Sequence, residues 1–183
     1  RIRNMIKNRL LSLIRKILDI RAKRILKSNE ELWRTLNEYL KNSSSTGSNY
    51  SDYLSLYNYV KNNRPQEILE CGTGVSTIIL AQAFKDFNID GRITSLESEK
   101  KYFDLALKIL PKYLSNYIDI KLSPVIEDYY SLFRGCRYKD IPLDRAYDFV
   151  YIDGPSYKAP SDNTLTFDFD LLNNFGSTLE NKS

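Results

Sequence analysis

Apolar and polar positions change period several times along this 183-residue chain. Ile2, Ile6, Leu10, Leu13, Ile17 and Ile20 recur every three or four positions, and Met5, Leu11, Ile14 and Leu18 widen the stripe. That spacing predicts a long helix with an apolar face. Ser28 with Glu31 reads as a capping box that opens a second helix running to about Leu40, with Trp33 and Leu36 turned inward. The polar run 42–49 reads as a linker between a helical segment, residues 1–41, and a domain over residues 50–183. Tyr53, Leu54, Leu56, Tyr57 and Val60 predict a short helix over 51–62, stopped by Pro65.

The pattern then alternates between short apolar runs and helical spacing. Glu67-Ile68-Leu69 leads as a strand into Glu70-Cys71-Gly72-Thr73-Gly74, and Val75 to Phe84 reads as a helix. Gly91 to Glu97 reads as a turn and a strand. Residues 99–110 form a helix with Tyr102, Phe103, Leu105, Ala106, Ile109 and Leu110 apolar, ended by Pro111. Ile118 to Leu122 alternates as a third strand. Residues 125–146 read mostly as helix and loop, Phe149 to Ile152 as a buried strand, Phe167 to Asn174 as a helix, and Gly176 to Ser183 as a polar tail. Strands alternating with helices predict an α/β fold with a parallel sheet.

The glycine turn is the strongest chemical signal. A strand–turn–helix corner brings backbone N–H groups and a helix N-terminus close to a ligand. Gly72 and Gly74 allow close approach to the backbone. A dinucleotide fingerprint has a third glycine where this chain has Thr77. Glu70 beside the turn would repel a pyrophosphate and tolerate a cation. Glu97 follows Gly72 by 25 residues, near the roughly 20 expected of an acid that accepts hydrogen bonds from ribose hydroxyls. Asp153 closes the run Tyr147-Asp148-Phe149-Val150-Tyr151-Ile152, at a strand end where open α/β sheets bind ligands.

These three segments, in this order, resemble the class I S-adenosylmethionine-dependent methyltransferases, whose first motif is E/D-x-G-x-G. The resemblance covers about residues 50–175. It implies a Rossmann-like doubly wound sheet with strands in the order 3-2-1-4, preceded by N-terminal helices. A complete domain of this type has seven strands; the later ones are expected to be missing here, by truncation or because residues are absent.

The resemblance also implies an S-adenosyl-L-methionine site built from Glu70, Gly72, Thr73, Gly74, Ser76, Thr77, Glu97 and Ser98. Glu70 and the turn take the methionine end, and Glu97 takes the ribose. Tyr50, Ser51 and Tyr53 belong to a helix laid over the cofactor pocket, and Ser123 and Pro124 lie where adenine contacts cluster. Asp153 serves as catalytic base or as one metal ligand. Asp162, Asn163, Asp168 and Asp170 are available as further donors but read equally as a solvated helix start. Tyr157 and Lys158 lie in the next loop and either face the acceptor or, the more expected role, serve as plain loop residues. No metal site is assigned.

Asp153-Gly154-Pro155-Ser156 replaces the N/D-P-P-Y of base N-methylating enzymes. It resembles the fourth strand of small-molecule O-methyltransferases, so the expected acceptor is a small molecule or glycan. Aminopropyl transfer and nicotinamide oxidoreduction rank lower. The non-enzymatic reading is a degenerate domain acting as a scaffold.

Composition narrows the chemistry. There is no histidine, which excludes a histidine base or histidine-bound metal within these residues. Two cysteines, Cys71 and Cys136, make no disulfide framework and predict a reducing, cytoplasmic compartment. The formal charge of +4 hides an asymmetry: residues 1–27 carry ten Lys or Arg against Asp19 alone, a charge of +9, and the rest of the chain is acidic. Such a helix packs on the domain or a second subunit, lies on an anionic membrane surface, or contacts nucleic acid. The absence of aromatics from residues 1–27 disfavours nucleic acid. The chain starts at Arg1, shows no signal peptide, and has no apolar stretch of about 18 residues.

Overall fold

The computed structural model describes residues 2–43, 49–154 and 158–170, with side chains from Arg9 onward. Three helices come first: α1 (Ile2–Ser28), α2 (Glu30–Asn42) and α3 (Tyr50–Asn63). The predicted cap at Ser28 is displaced by one residue. Ser28 ends α1 and donates its hydroxyl to the Ile25 carbonyl, whereas Asn29 Oδ1 accepts the Leu32 N–H at 3.0 Å and caps α2. Asn29 wins because its amide also donates to Asp86 Oδ2 at 2.7 Å and to the Tyr57 hydroxyl, contacts that sequence spacing does not reveal. Asn29→Ala is expected to cost about 1–2 kcal/mol, a lost cap plus a lost bond to a carboxylate. Urea denaturation checks this, and an unchanged midpoint would refute it.

The remaining elements are β1 (Glu67–Cys71), α4 (Val75–Asp86), β2 (Arg92–Glu97), α5 (Lys100–Ile109), a 3₁₀ turn (Lys112–Tyr117), β3 (Ile118–Leu122), β4 (Val125–Tyr130), β5 (Phe133–Tyr138), β6 (Phe149–Ile152) and β7 (Phe167–Asp168). Four strands form a parallel sheet in the order β3-β2-β1-β6. This is the expected 3-2-1-4 order, with β6 as the fourth parallel strand. The chain runs outward from β1 through β2 to β3 and then crosses back to β6 on the other side of β1, so a switch point opens at the carboxyl end of β1, where open sheets bind ligands.

Both faces of the sheet are buried, as parallel sheets require. On one face Ile68 and Ile93 pack under α4, whose residues Val75 to Phe84 are buried all round. The α2 residues Leu32, Leu36 and Tyr39, spaced at i, i+4 and i+7, join that core together with Tyr53, Leu56 and Val60 of α3. On the other face Leu69, Cys71 and Leu96 pack under Tyr138, Ile141 and Tyr147.

Two expectations are corrected. Residues 125–146 are not helical: β4 and β5 form an antiparallel hairpin, turned at Ser131 with φ +56°. Its charges disguised it. Glu127 and Asp128 read as a solvated helix face, but Arg134 bonds Glu127 at 2.8 Å and Arg137 bonds Asp128 at 2.5 Å across the hairpin. Phe167 does not start a helix either. Phe167 and Asp168 pair in parallel with Gly135 and Cys136, and helical structure begins only at Asp170. Residues 171–174 and the tail 176–183 lie outside the described residues, as do 44–48 of the linker and Pro155, Ser156 and Tyr157.

The predicted N-terminal helix forms, and where its side chains are described its stripe does not face the body of the chain. The body of the chain buries Ala22 and Leu26 of α1, neither in the predicted stripe, while Leu10, Leu13, Ile17 and Ile20 are exposed. The side chains of Ile2, Met5 and Ile6 lie outside the described residues.

Candidate functional site

The turn after β1 is tied to both neighbouring strands. Gly72 and Thr73 donate their N–H groups to Leu96 O at 2.9 and 3.1 Å, and Asp153 donates its N–H to Cys71 O at 2.9 Å. Gly72 adopts φ +106°, and a β-carbon there would lie 3.1 Å from the backbone carbonyl of Asp153. Glycine at 72 is therefore what lets the ends of β1 and β6 close on each other. Gly74 differs: a β-carbon there would meet nothing within 4 Å, so this side of the turn is open.

Glu70 is fully buried and organises the turn from beneath. Its Oε2 accepts the Thr77 hydroxyl at 2.5 Å and the Ser95 hydroxyl at 2.6 Å. Thr77 Oγ1 in turn accepts the Gly74 N–H at 2.9 Å, and the Thr73 and Ser95 hydroxyls lie 2.7 Å apart. This relay explains a threonine where a dinucleotide site has its third glycine. Burial raises the Glu70 carboxyl to about 7; the Ser76, Ser95 and Thr77 hydroxyls oppose that rise, and Asp153 adds to it.

Glu97 ends β2 with 8% of its surface exposed. Its Oε1 accepts the Glu99 N–H at 2.9 Å, which fixes the carboxylate at the strand end. Burial raises its pKa against the pull of the Glu99 and Ser98 N–H groups. Asp153 stands exposed beyond β6, its pKa raised by partial desolvation and then by Asp52 of α3. Tyr151 is pushed up to about 12, by burial first and then by Asp153.

Thus Glu70, Gly72, Thr73, Gly74, Ser76, Thr77, Glu97, Ser98 and Asp153 all fall at the carboxyl edge of the sheet. The outlying candidates are placed differently. Tyr50 packs against Trp33 and Tyr53, at 5.8 and 6.3 Å between ring centroids, and the Ser51 N–H bonds Asp19 of α1. Ser123 is buried and anchors the following loop by accepting the Asp140 N–H at 2.8 Å; Pro124 O accepts the Lys139 N–H. Asp162 is held by Arg134 at 2.7 Å on the hairpin, with Asn163 in the adjoining turn, and Lys158 is exposed. Asp168 is half-buried, while buried Asp170 accepts the Tyr138 N–H at 2.7 Å. Burial lifts Asp170 to about 7, with Asp168 adding to the rise. Among the described residues no group of three or more His, Cys, Asp or Glu side chains is placed to hold a metal.

Two tyrosines were missed by sequence reasoning. Tyr39 of α2 and Tyr138 of β5 are buried, and Glu70 and Glu97 bear electrostatically on both hydroxyls, whose pKa values burial raises. Tyr39 continues the Leu32–Leu36 spacing and was legible as a core position. Tyr138 sits on the unrecognised hairpin, and no sequence signal placed it near the turn.

No protein-family description matches this sequence, and no curated protein matches it significantly. Solved structures do match. A putative O-methyltransferase from Klebsiella pneumoniae is 20% identical with a TM-score of 0.50, over 77% of this chain and 62% of that one. The O-methyltransferase from Bacillus cereus in complex with SAH is 22% identical, with a TM-score of 0.49, over 68% and 56%. The SAH-bound Podospora anserina methyltransferase is 17% identical, with a TM-score of 0.45, over 57% and 48%. This chain therefore spans about half to three-fifths of the length of these structures. The Klebsiella match agrees with the strand order in giving the chain a Rossmann-like fold of the methyltransferase type.

Proposed function

We propose that this chain carries the cofactor half of an S-adenosyl-L-methionine-dependent methyltransferase acting on an oxygen of a small molecule or glycan. One observation carries the reading: a nearly buried strand-end acid, Glu97, lies beside an open glycine turn at the switch point of the sheet. The residues fit the cofactor's chemistry. Glu97 retains lone pairs for ribose hydroxyls, and the open side of Gly74 leaves room for a ligand.

When bound, the cofactor supplies a methyl group on a sulfonium. The chain's residues supply position and a proton acceptor. Glu97 orients the ribose. Glu70 is a positioning residue that sets the turn through Thr77 and Ser95. The first turn of α4 offers its N–H groups to the carboxylate end. Asp153 takes the hydroxyl proton of the acceptor, and its raised pKa makes it a stronger base than a solvated aspartate. Holding donor and acceptor in line is the largest contribution such a site makes.

Calorimetric titration with S-adenosylmethionine, S-adenosylhomocysteine and NADH tests the reading. Expected are micromolar binding of both adenosyl ligands, none of NADH, and at least about tenfold weaker binding in Glu97→Ala through lost hydrogen bonds to a charged acceptor. Folded protein that binds neither adenosyl ligand would remove the catalytic reading.

A further inference from the structure

The most conspicuous feature outside the site is α1. Leu13, Ile17 and Ile20 are 55%, 56% and 67% exposed on one side of the helix, with Leu10 and Ile14 alongside. The body of the chain uses a different side, through Ala22, Leu26 and the Asp19 bond to the Ser51 N–H at 3.1 Å. Lys23 and Lys27 also face the body, over the rings of Tyr50 at 4.8 Å and Trp33 at 5.0 Å. Among the described residues nothing covers the apolar side, while the helix itself is fastened.

Charge decides what covers it. Residues 9–27 carry seven Lys or Arg and one acid, and that acid is occupied by α3. Arg9, Arg15, Lys16, Arg21 and Arg24 make no ion pair among the described residues. Two such helices laid face to face would bring like charges together. Nucleic acid would satisfy the charge but leave the leucines and isoleucines in water, with no aromatic side chain present to stack on bases. An anionic lipid surface takes both parts: the apolar side chains enter the boundary of the acyl chains, and the long basic side chains reach the headgroups. No described helix is long and apolar enough to cross a membrane, so the contact is in the plane of the surface. We propose that α1 docks this protein onto anionic membranes through the face centred on Leu13, Ile17 and Ile20.

Flotation of the full chain with phosphatidylcholine vesicles, with and without phosphatidylserine, tests this. Binding is expected only with phosphatidylserine, and raising the salt from about 0.1 to about 1 M should weaken it strongly. The triple variant Arg9→Gln/Lys16→Gln/Arg24→Gln should bind about a hundredfold more weakly. Leu13→Glu/Ile17→Glu/Ile20→Glu should abolish binding while keeping the circular dichroism and melting temperature, since all three sites are exposed. Absence of vesicle binding, or variants binding like the parent, would overturn the proposal. So would a dimer, broken by the glutamate variant, that ignores vesicles, or binding to duplex DNA in place of lipid.

Discussion

Gly72→Ala is expected to remove about 3 kcal/mol of stability, or about 9 °C of melting temperature for a chain of this size. The backbone at φ +106° lies outside the region open to a residue with a β-carbon. The added carbon would also sit 3.1 Å from the backbone of Asp153, which has no flexible end to swing away. Relief requires the ends of β1 and β6 to part, so adenosyl-ligand binding should fall with stability. Gly74→Ala is the control. Its φ of −169° is extended backbone and its β-carbon meets open space, so its folding cost should stay within about 1 kcal/mol. Thermal and urea denaturation of both variants decide the matter. Equal losses at the two positions would contradict the geometry.

Glu70 should make stability fall as pH rises. Its carboxyl stands at about 7 in the folded chain against an ordinary 4.5. Below the lower value both folded and unfolded chains hold the proton. Between the two values the unfolded chain loses it first, so unfolding becomes progressively easier, and above about 7 the loss is complete. The span corresponds to about 3 kcal/mol. Asp170, raised to about 7 by burial, adds a slope of the same sign. Glu70→Gln removes only the first contribution: its stability relative to the parent should rise from about pH 5 to about pH 8, leaving the Asp170 slope behind. Urea denaturation of parent and variant across that range measures it, and parallel curves would mean that Glu70 does not titrate there.

Glu70 also marks the limit of what motif reading conveys. Its place before the turn was legible. Its full burial was not, because burial comes from α4 and β2 closing over it. The strands ending at Gly72, Glu97 and Asp153 were legible because apolar runs ending in glycine or an acid recur at the spacing of β-α units, and their order was implied by the family resemblance those segments carry. The hairpin was not, since Glu127 and Asp128 find their partners only after β4 and β5 pair. Asn29 outcompeted Ser28 through contacts with Tyr57 and Asp86, 28 and 57 residues away.

Local properties were therefore fixed by the residues themselves: which runs are strands, where the glycine turn lies, which strand ends carry acids, and how basic the first helix is. Each follows from backbone freedom, side-chain shape or charge. Pairing across distance was decided by the folded chain: the burial of Glu70, the approach of Tyr39 and Tyr138 to the acids, and the side of α1 left uncovered. Those outcomes depend on which surfaces exclude water together, and that requires the whole chain in place.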